Sequence, residues 1–223
     1  MKAMILAAGR GERLRPLTES TPKPLVEVAG QTLLGRHLQR LARAGFTRAV
    51  INVSHFAEKI TERFGDGGRE GLEIEWSREA APLETAGGIA QARALLGLEP
   101  FLLVNADIWC DYAFATLRGF DLGRRLSHLV LVPNPPQHPA GDFSLEDAIV
   151  GNRPAPRYTY AGIAVISPQL VAGVASGQKA QLAPLWRAAA ERGEVTGELY
   201  DGLWSDVGTP ERLSALEARL KKP

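Results

Sequence analysis

Residues 6–25 read LAAGRGERLRPLTESTPKPL and continue an apolar segment that starts near the N-terminus. Residues 3–8 are continuously apolar, which predicts a central strand buried on both faces of a sheet. Gly9 and Gly11 then bend the chain where larger side chains would collide with a ligand. Successive backbone N–H groups in such a bend can point at phosphate oxygens. The stretch therefore predicts a phosphate-binding loop at the end of a buried strand.

Two basic side chains of this stretch have the chemistry that a phosphate-rich ligand needs. Arg13 offers a planar guanidinium that can contact two phosphate oxygens, and Lys23 offers a compact charge on a mobile stem. Pro22 and Pro24 flank Lys23 and restrict its backbone, which would aim the ammonium group at a fixed point. Both basic side chains are therefore candidates for binding phosphate.

Two well-known phosphate loops do not match this spacing. A dinucleotide fingerprint has its third glycine at the position of Leu14, and a P-loop has a lysine where this chain has Glu12. The plain alternative is a glycine-rich turn between a strand and a helix, with basic residues that only face solvent. The proline-flanked lysine close behind favours the phosphate-binding interpretation over that alternative.

Apolar runs alternate with amphipathic stretches along the chain, which is typical of a mostly parallel sheet covered by helices. The pattern predicts strands at residues 3–8, 49–53, 72–76, 101–104, 128–132 and 158–166. It predicts helices at residues 33–44, 58–64, 85–96, 182–192 and 209–220. Residues 133–139 are rich in proline, which predicts a loop. Residues 140–156 show only a weak pattern and are interpreted as an insertion. We expect an α/β fold, a single-domain Rossmann-like three-layer α/β/α sandwich over residues 1–223 with a mostly parallel mixed sheet.

The composition excludes several classes of protein. The formal net charge is +1 over 223 residues and the basic residues are spread out, so no clustered basic face for nucleic acid is expected. No apolar run approaches the ~18 residues that a membrane-spanning helix needs. Cys110 is the single cysteine, which rules out an intrachain disulfide. We expect a cytoplasmic protein that binds neither nucleic acid nor membrane and needs no obligate protein partner.

Residues 6–25 resemble the signature of the sugar nucleotidyltransferases, a strand followed by L-A-A-G-x-G-x-R-L-x-P-L-T and P-K-P-L. The resemblance extends to the final predicted helix. It implies a nucleotide-binding half over residues 1–110 and a sugar-binding half over residues 111–223. It also implies that Lys23 and Arg13 are catalytic and that Lys23 contacts the α-phosphate. The triphosphate would be held by Ala8, Gly9, Arg10, Gly11, Glu12 and Arg13 together with Lys23.

A second element resembles the segment that this family places beside the nucleotide base. It reads LETAGG, residues 83–88, at the start of a predicted helix. Gly87 and Gly88 would leave room for a flat ring, and the helix N-terminus offers free N–H groups. The alternative is a glycine pair that only allows tight packing of the helix. Glu79 lies upstream and would accept a hydrogen bond from the base, or else remain solvated.

Two aspartates are candidate ligands of a magnesium ion. Asp107 follows a predicted buried strand, at the edge where open α/β sheets bind ligands, and Asp206 lies in WSDVGTP, residues 204–210. Two carboxylates with phosphate oxygens and water form the hard oxygen site that Mg²⁺ prefers. Either aspartate alone could cap a turn or a helix. Together they resemble the metal-binding pair of the family, which implies Mg²⁺ as cofactor.

The sugar side is expected to involve Asn105, Asp142, Tyr160 and Gly162. Residues 160–163, YAGI, resemble a small-residue strand of the family that lets a pyranose approach the backbone. Many relatives carry an acidic-Lys-Pro triplet before this strand, whereas this chain has EDA at residues 146–148. The chain therefore departs from the family pattern on the sugar side at this stretch.

The resemblance implies UTP and a sugar 1-phosphate as substrates, the sugar being N-acetylmuramic acid α-1-phosphate. The products would be pyrophosphate and a UDP-sugar used in cell-wall recycling. The alternatives are guanylyl transfer to mannose 1-phosphate and thymidylyl or uridylyl transfer to glucose 1-phosphate. A non-catalytic nucleotide-sugar binding protein is the alternative from another class. A muramic acid pocket would need a cation for the lactyl carboxylate, with Arg153, Arg157, Lys179 and Arg187 as candidates.

Overall fold

The computed structural model describes residues 1–221. In chain order the strands are β1 Ala3–Leu6, β2 Glu27–Val28, β3 Gln31–Thr32, β4 Arg48–Val53, β5 Glu73–Arg78, β6 Phe101–Asn105, β7 Ile108–Cys110, β8 Ser127–Val132, β9 Phe143–Glu146, β10 Ile149–Gly151, β11 Arg157–Ile166, β12 Val195–Leu199 and β13 Trp204–Asp206. The helices are α1 Leu33–Arg43, α2 Ala57–Phe64, α3 Glu84–Gln91, α4 Arg93–Leu96, α5 Leu182–Glu191 and α6 Pro210–Leu220.

The main sheet contains nine of the described strands in the order β5-β4-β1-β6-β11-β8-β12-β10-β9. β5, β4, β1 and β6 are parallel neighbours, and β12 is parallel to β8. β11 runs antiparallel to β6 and β8, and β10 runs antiparallel to β12 and β9. The predicted α/β class with a mixed sheet is confirmed. Because β6 and β11 come from the two predicted halves, their pairing joins both halves in one sheet.

Different helices cover the two faces of this sheet. Successive side chains of a strand point to opposite faces, and accordingly Ile5 and Met4 of β1 belong to separate core clusters. The cluster of Ile5 includes Leu38 of α1 and Ile60 of α2, whereas the cluster of Met4 includes Trp186 of α5. β1 is therefore buried on both faces between parallel neighbours, which explains why its sequence is continuously apolar.

Three strands of the sheet, β9, β10 and β12, are not indicated by the sequence pattern. The predicted insertion at residues 140–156 contains the hairpin of β9 and β10, whose turn residues Asp147 and Ala148 have φ of 48° and 62°. Such turns favour Asn and Gly, so an Asp-Ala turn gives little signal. β12 contains Gly197, where a Cβ would lie 2.7 Å from Val150 Cγ2. Glycine weakens the pattern of a strand but is needed where a neighbour approaches closely.

The prediction of one continuous helix over residues 85–96 is wrong, because the helix is interrupted at Ala92 and forms α3 and α4.

Along residues 1–221, no helix combines the length and the apolar character that crossing a membrane requires.

Candidate active site

The predicted phosphate-binding loop follows β1 and is fixed by contacts to distant segments. The Ala7 N–H donates to Asn52 Oδ1 at 2.8 Å, and the Thr18 hydroxyl donates to the Gly11 carbonyl at 2.8 Å. Gly11 has a φ of +66°, and a Cβ there would lie 3.0 Å from Thr18 Cγ2 and 3.1 Å from Lys23 Cβ. Glycine is therefore required at position 11 both by its backbone conformation and by close packing.

Lys23 forms an ion pair with Asp107 that joins the first loop to the loop after β6. The Lys23 Nζ lies 2.6 Å from Asp107 Oδ2, and the two side chains are 11% and 36% exposed. β1 and β6 are adjacent parallel strands, so the loops at their carboxyl ends meet at one edge of the sheet. The predicted catalytic lysine and one predicted metal ligand are thus in direct contact.

A cavity of about 980 Å³ lies at this edge of the sheet. Its walls come from the phosphate loop, Lys23, the ends of β1 and β6, and the segment before α3. The predicted nucleotide contacts that line it are Ala8, Gly9, Arg10, Gly11, Glu12, Arg13, Lys23 and Glu79. It is also lined by Thr85 of the LETAGG segment and by Asn52 and Lys179, for which the sequence indicated no nucleotide contact.

A smaller cavity of about 290 Å³ adjoins the larger one and shares Arg13, Asn105 and Asp107 with it. Tyr160 and Gly162 of β11, two of the predicted sugar-side residues, line the smaller cavity. The other lining residues include Asp206, Gln137, His138, Thr159, Trp204 and Arg212. Arg13, Asn105 and Asp107 therefore lie at the junction of the two cavities, where ligands bound in each cavity would meet.

β7 and β13 bring Asp107 and Asp206 together. They pair antiparallel with Asp206 opposite Ile108, and the Val207 N–H donates to the Asp107 carbonyl at 2.8 Å. His37 of α1 holds β7, because its Nε2 lies 2.8 Å from the Ile108 carbonyl oxygen. Burial lowers the pKa of His37 to about 4, so its ring is neutral near pH 7 and the Nε2–H donates this bond.

The two carboxylates suit a cation that is shared with a phosphate substrate. Both line the smaller cavity, and each already has a cationic partner, Lys23 for Asp107 and Arg212 for Asp206. Across residues 1–221 no group of three or more His, Cys, Asp or Glu side chains could hold a metal ion. Two carboxylates leave most positions around Mg²⁺ to phosphate oxygens and water, which is its usual arrangement beside phosphates.

Gly87 and Gly88 were expected to lie beside the base, but they do not line the larger cavity. A Cβ at Gly87 would collide with the Gln178 carbonyl oxygen, and one at Gly88 would lie 2.7 Å from Asn52 Nδ2. Glycines here allow α3 to pack closely, as the alternative interpretation stated. Glu79 is 6% exposed rather than solvated, and its carboxylate accepts from Asn52 Nδ2 at 2.6 Å.

Asp142 was expected to contact the sugar, but it does not line the smaller cavity. It contacts two residues that do line it. Its Oδ2 accepts from the Tyr160 N–H at 2.8 Å, and its Oδ1 lies 3.0 Å from His138 Nε2. His138 lines the cavity instead. The Tyr160 ring packs against Trp186 with ring centroids 4.7 Å apart, and burial raises the pKa of the Tyr160 hydroxyl.

None of the four candidate cations for a lactyl carboxylate lines the smaller cavity. Arg153 pairs with Glu146, and Arg157 donates to the Asp142 carbonyl. The Arg187 guanidinium lies 5.2 Å from the centre of the Phe143 ring, and Lys179 lines the larger cavity. The arginines that line the smaller cavity are Arg13 and Arg212. Arg212 lies six residues after Asp206 and pairs with its carboxylate. The sequence could have indicated Arg212 as a candidate, because it is a cation close in sequence to a carboxylate that needs a counter-ion.

Replacing Gly162 by alanine is expected to destabilise the protein by about 1–3 kcal/mol. Gly162 has a φ of +80°, and a Cβ there would lie 2.9 Å from Ile108 Cγ2 and 3.1 Å from Asn105 Cβ. Thermal unfolding measures the effect. Gly173→Ala is the matched control, because a Cβ at that position meets nothing within 4 Å. Equal melting temperatures for the two variants would contradict this account of the β11 backbone.

Residues 2–140 match the family model described as nucleotidyl transferase. The match covers more than half of the chain, which therefore belongs to the nucleotidyl transferase family. Relatives that align over nearly the whole chain are sugar-phosphate nucleotidyltransferases, and the chain is an enzyme of that class.

One relative, from Neisseria meningitidis serogroup B, is 48% identical over 98% of this chain and 97% of its own length. Its name is N-acetylmuramate alpha-1-phosphate uridylyltransferase, and a protein of the same name from Caulobacter vibrioides is 37% identical over 98% of this chain and 96% of its own. The mannose-1-phosphate guanylyltransferase catalytic subunit beta of Drosophila pseudoobscura pseudoobscura is 32% identical over 94% of this chain and 60% of its own length.

Solved structures share the fold. A glucose-1-phosphate thymidylyltransferase described as putative, from Bacillus anthracis and in complex with a sucrose, has a TM-score of 0.88 at 17% identity, covering 100% of this chain and 96% of its own. HddC from Yersinia pseudotuberculosis complexed with GMP-PN has a TM-score of 0.78 at 19% identity, covering 99% of both chains.

Proposed function

We propose that this enzyme transfers UMP from UTP to N-acetylmuramic acid α-1-phosphate and releases pyrophosphate. The observation that carries the proposal is the 48% identity to the Neisseria relative of that name over 98% of this chain. The two adjoining cavities support it, because a nucleotide and a sugar phosphate would meet at the residues that the cavities share. The product would be UDP-N-acetylmuramic acid.

The reaction is a direct displacement at the α-phosphorus of the triphosphate. An oxygen of the sugar phosphate forms the new P–O bond, and the bond to the pyrophosphate group breaks. The second pKa of a phosphate monoester is about 6, so the attacking group is largely ionised near neutral pH and needs no general base. Catalysis then depends on positioning the two substrates and on stabilising the charge that develops on the transferred group.

Lys23 and Arg13 supply positive charge in this mechanism. Lys23 is mostly buried beside Asp107, and Arg13 lies between the two cavities. The phosphate-loop backbone orients the triphosphate, while Asn105 and the Gly162 backbone would position the sugar phosphate. Asp107 and Asp206 would hold Mg²⁺, which when bound neutralises charge on the phosphate oxygens.

A second candidate is guanylyl transfer to mannose 1-phosphate, favoured by the 32% identity to the Drosophila relative. A non-catalytic binding protein is less well supported, because a pure binder has little need for a mostly buried lysine held beside a candidate metal ligand.

A pyrophosphate-release screen with Mg²⁺ tests the proposal. UTP, dTTP, GTP and CTP are each combined with the 1-phosphates of N-acetylmuramic acid, mannose, glucose and N-acetylglucosamine. We expect the highest kcat/KM with UTP and N-acetylmuramic acid 1-phosphate. A higher value with another pair would retain the mechanism and reject the substrates. No release from a folded, magnesium-loaded sample would support the binding protein.

A further inference from the structure

Arg212 is held against a candidate metal ligand by its surroundings. It lies in the first turn of α6, which Thr209 caps, and its Nη1 forms an ion pair with Asp206 Oδ2. The side chains of Arg212 and Asp206 are only 21% and 23% exposed. A Cβ at Gly208 would lie 2.7 Å from Arg212 Nη1, so the missing side chain at position 208 opens the path of the guanidinium.

Arg212 also has access to the substrate cavity. It lines the smaller cavity with Asn105, Tyr160 and Gly162, whereas Lys179 lines the larger one. Arg13 is shared between the two cavities, so Arg212 is the arginine that lines the smaller cavity without also lining the larger one. A sugar 1-phosphate that enters this space would bring its negatively charged phosphate close to the Asp206 carboxylate. The phosphate would then need a cationic partner in the same cavity.

A divalent cation at Asp206 would weaken this ion pair, because the cation would compete with Arg212 for the charge of the same carboxylate. A mostly buried guanidinium that loses its carboxylate needs another anion nearby. The phosphate of the sugar substrate would be the nearest one, since it would bind at the same cation. A guanidinium contacts two phosphate oxygens with good geometry.

We propose that Arg212 binds the phosphate of the sugar 1-phosphate and serves as the counter-ion of Asp206 before the cation and substrate enter. The inference rests on the proposed function for its substrate class. It gives a residue of the last helix a direct part in binding the second substrate.

The kinetic test compares Arg212→Gln and Arg212→Lys with the parent enzyme, using whichever substrate pair is most active. We expect Arg212→Gln to raise the KM for the sugar phosphate by about 10- to 100-fold, with a smaller change in the KM for the nucleotide. Arg212→Lys should recover part of this loss, because it restores the charge but not the planar fork. Arg219→Gln is the control, since Arg219 is exposed on the same helix.

A binding measurement separates this role from a structural one. Electron paramagnetic resonance of Mn²⁺ titrated into the protein without substrates should show tighter binding to Arg212→Gln, by about 3-fold or more, because a competing cation has been removed. A merely structural arginine would leave Mn²⁺ binding unchanged or weaken it, and that outcome overturns the counter-ion role. Melting temperatures of all variants show whether the fold is retained.

The sugar series decides what Arg212 contacts. An equal loss of kcat/KM for the 1-phosphates of N-acetylmuramic acid and N-acetylglucosamine supports the phosphate contact. A loss confined to N-acetylmuramic acid 1-phosphate would overturn it in favour of the lactyl carboxylate. If the enzyme releases no pyrophosphate with any pair, the proposed function fails, while the Mn²⁺ titration still tests the counter-ion role.

Discussion

Lys23→Ala is expected to lower kcat by about 100- to 1,000-fold while the protein remains folded. The Lys23 ammonium is 2.6 Å from Asp107 and mostly buried, so its position is set before a substrate binds. A fixed charge in a partly desolvated site stabilises developing phosphate charge without reorganisation, which is why its loss affects turnover more than binding. Steady-state kinetics of pyrophosphate release with the most active substrate pair measures the effect.

Lys59→Ala is the matched control for this variant, because Lys59 is an exposed lysine on α2 that donates to the Ser20 carbonyl at 2.9 Å. Lys23→Arg tests whether charge alone is sufficient, since its broader guanidinium would not fit the same contact. An unchanged kcat for folded Lys23→Ala would reject the catalytic role of the lysine.

Asp107→Asn and Asp206→Asn are each expected to weaken the binding of Mg²⁺, raising the Mg²⁺ concentration that gives half-maximal activity by at least about 100-fold. Each substitution replaces a charged oxygen ligand by a neutral amide of nearly the same shape. The loss would therefore be in charge and not in packing. Magnesium titrations of the rate, with pyrophosphate release as readout, measure it.

Asp201→Asn is the control for both variants, because Asp201 is an exposed aspartate in the same segment as Asp206. Asp107→Asn also deprives Lys23 of its carboxylate partner, so we expect its kcat to fall further than that of Asp206→Asn at saturating Mg²⁺. A magnesium titration of either variant that matches the parent enzyme would reject the carboxylate pair as the metal site.

The sequence by itself determined the elements whose signals are local. The apolar run of β1 and the leucine spacing of α1 report burial directly, because the period of a strand or helix decides which residues face the core. The glycine-rich loop after β1 was equally readable, since its glycines, arginine and proline-flanked lysine all lie within residues 6–25. The α/β class follows from the alternation of such elements, whereas the antiparallel strands β9 and β10 have no such signal.

The tertiary structure decided which polar groups meet. Lys23 and Asp107 are 84 residues apart, and Asp142 reaches the Tyr160 backbone across 18 residues. Nothing in a local pattern indicates whether a carboxylate lines a cavity or supports its wall. The sequence therefore did not indicate that Asp142 lies behind the smaller cavity or that Arg212 lines it. Gly87 is the same case, because a helical glycine that faces a ligand and one that faces the Gln178 backbone look identical in sequence. The partner of a polar or small residue is a non-local property, fixed only when the sheet order brings distant loops to one edge.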